Sequence, residues 1–267
     1  MLPLLRLGPL AIHTPGLALL AGVWVALEIL SREAARLKLD AARVYNAAFF
    51  ALVAGIVGAR VAFVTSHWES YRRSPLSIFS ITPGSELAVA GVCAGLFVGF
   101  AYLRRHVTRP GQGDGWASVL DALAPACAAL AAFGSVANLL SGNGYGVETS
   151  RPWGIELWSA KRHPTQLYEL AAALAVLAIL WRRRGRWPQA GAAYLAFVIL
   201  YGASRLFLEA FRDDSWVLPG SLRGTQVVAL LSVTTCLFLV ARRAGVGTPN
   251  PDERPIPEIP DLESDRV

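Results

Sequence analysis

Two short polar segments interrupt otherwise apolar sequence. In Tyr201-Gly202-Ala203-Ser204-Arg205-Leu206-Phe207-Leu208-Glu209-Ala210-Phe211-Arg212, Arg205 and Glu209 are spaced i, i+4 and share one helix face. Such a pair either satisfies itself as a structural ion pair or walls a charged cavity, with Arg205 binding an anion and Glu209 orienting it. In His163-Pro164-Thr165-Gln166-Leu167-Tyr168-Glu169, a polar cluster opens an apolar run. Thr165 has the residue type of an N-cap, and Tyr168 and Glu169 fall in the first turn, so capping and catalysis are both open. Arg60, in Val57-Gly58-Ala59-Arg60-Val61, is either a headgroup-seeking arginine or a phosphate contact. Asn138 ends another apolar run and precedes Gly142, Gly144 and Gly146. An asparagine there can bond a neighbouring helix, and the glycines allow a turn close to a ligand.

The elements that carry these residues follow from composition. Of 267 residues, 54% are hydrophobic and 16% charged, where a soluble domain carries roughly a quarter charged. Mean hydropathy is +0.43. Disordered chains, disulfide scaffolds and most cytosolic enzymes are excluded, and a polytopic all-α membrane protein is expected. Apolar segments near 16–30, 46–65, 86–103, 117–140, 166–181, 190–211 and 224–241 give about seven spans. Loop cations gather after spans one, three, five and seven, as in Arg32, Arg36, Arg104, Arg105, Arg182 to Arg184, Arg242 and Arg243. The positive-inside rule therefore places the N-terminus outside and the C-terminus in the cytoplasm.

The 142–165 loop carries Trp153 and Trp158, suited to the headgroup level, and has room for a short amphipathic or re-entrant segment. Glu28 and Asp121 fall near span ends and are read as interfacial or dipole-favoured acids. Residues 1–245 read as one membrane domain and 246–267 as an acidic, proline-rich disordered tail. No basic stripe with interleaved aromatics suits nucleic acid. Cys93, Cys127 and Cys236 lie in apolar stretches without metal-ligand spacing.

The 163–169 segment resembles the H-P-[ST]-Q-L-Y-E segment of the bacterial prolipoprotein diacylglyceryl transferase family. Other segments agree in order: Gly8-Pro9 with Gly16, Gly58-Ala59-Arg60, Asp121 with Ala124-Pro125, Phe133-Gly134 with Asn138, Tyr201-Gly202 with Arg205, Glu209 and Arg212, and Gly224 with Gln226. The resemblance runs from about Gly8 to Leu231. It implies a multi-pass enzyme of the bacterial plasma (inner) membrane, acting without metal or cofactor. The implied reaction moves the diacylglyceryl group of phosphatidylglycerol to the lipobox cysteine of a prolipoprotein signal peptide, with glycerol phosphate leaving. The implied catalytic residues are His163, Arg205 and Glu209. The implied substrate contacts are Arg60, Asn138, Gln166, Tyr168, Glu169 and Arg212.

The sequence also departs from that family. The signature G-R-x-x-N-F-x-N-x-E reads Gly134 to Asn143 here, with Ser135 for arginine, Ser141 for asparagine and Asn143 for glutamate. Ala90 stands at the histidine of an H-G-G segment, and Pro15 at a tyrosine. His163 becomes the candidate replacement base. The alternative expectation is an altered or inactive paralogue that binds phospholipid or a lipoprotein precursor without transfer.

Overall fold

The computed structural model describes residues 4–7, 10–73, 88–107 and 115–244. The acidic tail, Gly8-Pro9 and the first residues of the 86–103 segment lie outside the described residues. Eight α-helices dominate: α1 (Thr14–Arg36), α2 (Ala41–Ser66), the short α3 (Trp68–Arg73), α4 (Ala88–His106), α5 (Gly115–Ser141), α6 (Thr165–Arg182), α7 (Ala192–Leu208) and α8 (Gly224–Arg243). A 3-10 turn, Glu209–Phe211, continues α7. Among the described residues, six of the helices (all but α3 and α4) are long and apolar enough to cross a membrane. The remaining expected span coincides with α4, which has 19 residues. Helices satisfy every internal backbone group in lipid, so apolar runs of this length settle as helices.

α5 is the central helix. More of its apolar length is buried than in any of the other five candidate spans. Its small side chains Ala122, Ala124, Ala126, Ala128, Ala129 and Ala132 are all buried, and α1, α6 and α7 pack on it. α2 packs chiefly along α4, and α8 along α7. The α2–α4 seam brings backbones into contact: a Cβ built on Gly91 would lie 2.7 Å from the Gly55 carbonyl oxygen and 2.9 Å from the Ala59 Cβ. Such close approach supplies dispersion contact where no hydrophobic force separates helix from lipid.

Contacts tie the helix ends into two groups. At one end, Arg43 of α2 donates to the His106 carbonyl, Arg184 pairs with Glu33 of α1, and Arg243 of α8 donates to the Ala190 carbonyl. The opposite end carries the 142–165 loop and the 209–223 connection. Three two-stranded antiparallel hairpins lie outside the helices: β1–β2 (Leu4–Leu7, Leu10–His13), β3–β4 (Ile155–Leu157, Ala160–Arg162) and β5–β6 (Val217–Leu218, Leu222–Arg223). The 142–165 loop thus folds as a hairpin rather than as an amphipathic or re-entrant helix. Its turn residues Trp158 and Ser159, with φ of 54° and 62°, match the twist that tight hairpins require.

Asp121 has a different part from the one its position in the sequence suggests. It is buried, and its two carboxylate oxygens accept from the Gly191 and Tyr194 amides at 2.7 and 3.0 Å. It therefore caps α7 from a neighbouring helix, because Gly191 at the N-cap has no side chain to do so. Glu28 is a rim residue, half exposed and paired with Arg32 at 2.7 Å. Asp121→Ala should lower the unfolding free energy in detergent by about 1–3 kcal/mol. An unchanged denaturation curve would show that the α7 amides find other partners.

Candidate active site

The site is assembled where α5 ends and α6 begins. After Asn138 the chain leaves α5, and the Gly142 amide closes on the Asn138 carbonyl at 2.9 Å. Residues 145–149 then run as an extended lane between two others. On one side the His163 amide donates to the Val147 carbonyl at 3.0 Å. On the other the Val147 amide donates to the Phe211 carbonyl at 2.9 Å. Gly146 sits at the tightest point, where an added Cβ would lie 2.5 Å from the His163 carbonyl oxygen and 2.9 Å from that of Phe211.

The polar start of α6 fastens this lane. Thr165 is the first helical residue and not the N-cap, which is Pro164 without a side-chain cap bond. The Thr165 hydroxyl instead donates to the Gly144 carbonyl. Gln166 is fully buried, and its Nε2 donates to the Asn143 carbonyl at 2.9 Å. Among the described residues the Gln166 Oε1 has no hydrogen-bond partner. Asn143 is thus held through its backbone, and Ser135 turns its hydroxyl onto the Ala131 carbonyl at 3.1 Å, inside its own helix.

Charge is concentrated one turn further along α6. A single Glu169 oxygen accepts from Arg205 of α7 and, at 3.0 Å, from Arg212 beyond the 3-10 turn. Arg205 also donates to Glu209 at 3.0 Å, so the i, i+4 pair forms as the spacing predicts. Arg212 donates to Asp214 at 2.9 Å, and the other Asp214 oxygen accepts from the Gly144 amide at 2.7 Å. Glu169 and Glu209 are buried, and both guanidiniums are largely so. Burial by itself would lower the Arg212 pKa, but Glu169 and Asp214 hold it above its ordinary value. Arg212 is therefore charged at every working pH.

Beside the ion cluster lies an aromatic one. His163 Nδ1 is 3.3 Å from the Tyr168 hydroxyl, and the Trp153 indole donates to that hydroxyl at 2.9 Å. The Phe211 ring packs edge-on against His163, with centroids 5.4 Å apart. Among the residues singled out from sequence, His163, Gln166, Tyr168, Glu169, Arg205, Glu209 and Arg212 come together here. Asn138 borders the same loop, its side chain beside Gly144. Arg60 is held elsewhere, over the rings of Phe63 and Tyr71 near the end of α2.

Three participants escaped the sequence reading. Asp214 links Arg212 to the Gly144 amide. Arg162 donates to Asp213 at 2.7 Å and to the Gly146 carbonyl, with its guanidinium over Tyr145. Arg223 donates to the Glu209 carbonyl. The one available signal was Asp213-Asp214 directly after Arg212, an acidic pair beside a cation at a helix end.

Chemically, this is a largely buried pair of guanidiniums, with an imidazole on the adjoining aromatic cluster. A guanidinium has five N–H donors in a fixed fork. Arg205 gives donors to Glu169 and Glu209 and keeps others for a tetrahedral oxyanion such as a phosphate. If the Tyr168 oxygen accepts from both Trp153 and His163 Nδ1, then His163 Nε2 holds the lone pair that a general base requires.

The sequence profile of the family described as Prolipoprotein diacylglyceryl transferase matches residues 3–242. Similar proteins include the phosphatidylglycerol–prolipoprotein diacylglyceryl transferase of Streptococcus pyogenes serotype M3, 30% identical over 91% of this chain and 95% of the relative. The proteins of that name from serotypes M5 and M49 show the same 30% identity and the same coverage. Gly146→Ala should lower the thermal midpoint in detergent by at least about 3 °C, since neither flanking carbonyl is a flexible side-chain end. An unshifted midpoint would contradict the tight three-lane packing.

Proposed function

The chain belongs to the prolipoprotein diacylglyceryl transferase family, and from that premise we propose that it transfers the diacylglyceryl group of phosphatidylglycerol to the lipobox cysteine of prolipoproteins. The observation that carries this reading is the meeting of Arg205 and Arg212 on one Glu169 oxygen, with His163 held against the neighbouring residues Tyr168 and Phe211. The family is one of multi-pass proteins of the bacterial plasma membrane, and the six apolar helices suit that setting. The site end of the bundle would face outward and the arginine-rich end the cytoplasm.

In this mechanism Arg205 and Arg212 bind the lipid phosphate through their remaining donors, while the carboxylates hold both guanidiniums in place. Glu209 orients Arg205, and Glu169 orients both arginines. His163 Nε2 takes the thiol proton, with Trp153 and Tyr168 fixing its tautomer. The thiolate then attacks the glycerol carbon bonded to the phosphate oxygen. A C–S bond forms, the C–O bond breaks, and its electron pair leaves on glycerol phosphate. Negative charge grows on that phosphate as the bond breaks, which is where fixed cations lower the barrier. Gln166 Oε1, buried and without a hydrogen-bond partner among the described residues, is positioned to accept from a glycerol hydroxyl. Asn138 and Arg60 complete the proposed lipid and peptide contacts.

Ser135 favours a second reading, a paralogue that binds phospholipid or lipoprotein precursor without transfer. Its hydroxyl is turned into its own helix at a position where the family pattern has arginine, and Ala90, Pro15 and Asn143 replace further polar groups. One oxyanion-binding donor is worth roughly two to three powers of ten in rate. Complementation separates the two readings. The chain should restore growth to a bacterium depleted of its own transferase, and Arg205→Ala should not. Failure of the correctly inserted chain, with phosphatidylglycerol still photo-crosslinked in it, would establish the second reading. A fluorescent protein fused after Arg243 should fluoresce, and a dark, exported fusion would reverse the orientation.

A further inference from the structure

The end of the bundle opposite the ion cluster carries a feature that diacylglyceryl transfer does not use. α1 and α6 both pack chiefly on α5, and a groove of about 400 Å³ lies between them. Its lining is apolar along its length and cationic at its end: Ile29, Leu174, Leu177, Ala178, Trp181 and Arg182. From Leu174 to Trp181 the helix rises roughly 10 Å, about the depth of the lower part of an acyl chain. Leu174, Trp181 and Ala178 are exposed, so the groove opens toward the surrounding lipid.

The mouth of the groove is built and not merely basic. Glu33 of α1 is buried and takes both Arg36, at 2.8 Å, and Arg184 from just beyond α6. The Arg184 guanidinium also lies over the Trp181 ring. This clasp ties α1 to the end of α6 and fixes the groove's width. It uses Arg36 and Arg184, and Arg32 is paired with Glu28. Arg182 and Arg183 are exposed and make no side-chain hydrogen bond or ion pair among the described residues. The uncompensated Arg182 guanidinium therefore stands at the end of an apolar channel, beside an interfacial tryptophan, with Arg183 the next residue in the chain. Charge and shape together match one molecule: a phospholipid whose acyl chain fills the channel and whose anionic headgroup meets Arg182, with Arg183 adding positive charge from the next position.

We propose that this groove is a binding site for an anionic phospholipid of the leaflet at the arginine-rich end, separate from the lipid taken at the ion cluster. The bound lipid would bridge α1 and α6 where they do not pack closely on each other, and so stiffen the frame that carries α5. Binding is set by two features that can be removed independently. Arg182→Gln with Arg183→Gln removes the headgroup contact, and Ala178→Phe fills the channel without altering charge. Neither change disturbs a buried residue.

Native mass spectrometry of the full chain, titrated with phosphatidic acid in a phosphatidylcholine background, reads the site. The wild-type chain should hold one phosphatidic acid that both variants bind about tenfold more weakly or lose, with binding of further lipids unchanged. Equal retention by wild type and both variants would overturn the proposal. Loss in the arginine variant alone would also overturn it, because surface charge would then act without a seat for the chain. Loss in the Ala178→Phe variant alone would show an uncharged lipid groove, and the anionic specificity would fall.

Discussion

Glu169 accepts, on a single oxygen, from two guanidiniums that reach it from different segments: Arg205 from α7 and Arg212 from the chain beyond it. Removing that carboxylate would leave two largely buried cations short of a partner in a low-dielectric setting, a change that typically costs several kcal/mol. The geometry of the site end follows from this one acceptor. It fixes α7 against α6, and through Arg212 and Asp214 it reaches the Gly144 amide. The extended lane from 145 to 149 is then held between His163 and Phe211, and the imidazole packs on the Phe211 ring, next in the chain to Arg212. An ion network inside a membrane bundle is a poor source of net stability, but it selects one arrangement of the segments it joins.

Much of this was legible in the sequence. The apolar runs located the spans, although α2 begins five residues before its apolar segment, where Asp40 accepts from the Arg43 amide and starts the helix. The i, i+4 spacing of Arg205 and Glu209 gave their pairing correctly, since it depends only on local helix geometry. Interactions between distant segments were harder to read. Asp121 looks like an interfacial acid until α7 presents its bare N-terminus to it. Thr165 has the residue type of a cap and spends its hydroxyl on Gly144 instead. Arg162 and Arg223 are ordinary loop cations in the sequence, and only the return of the chain near Phe211 gives them carbonyls to bind.

The two ends of the bundle use arginine differently. At the site end, Arg205 and Arg212 are largely buried and matched by carboxylates, so each is aimed and has few free donors. At the opposite end, Arg182 and Arg183 are exposed and unmatched among the described residues, as headgroup contacts are. The small-residue core of α5 connects the two ends. A lipid bound at one end and chemistry at the other would therefore both bear on helices packed against α5.

Double-mutant cycles on Glu169 with Arg205 and with Arg212 test the central claim most directly. Unfolding free energies of the single and double variants should give coupling of at least about 1 kcal/mol in each cycle, because either arginine loses a shared buried partner. Effects that add within about 0.3–0.5 kcal/mol in both cycles would contradict it. Glu169 would then be one acid among several at the site end and not the acceptor around which that end is organised.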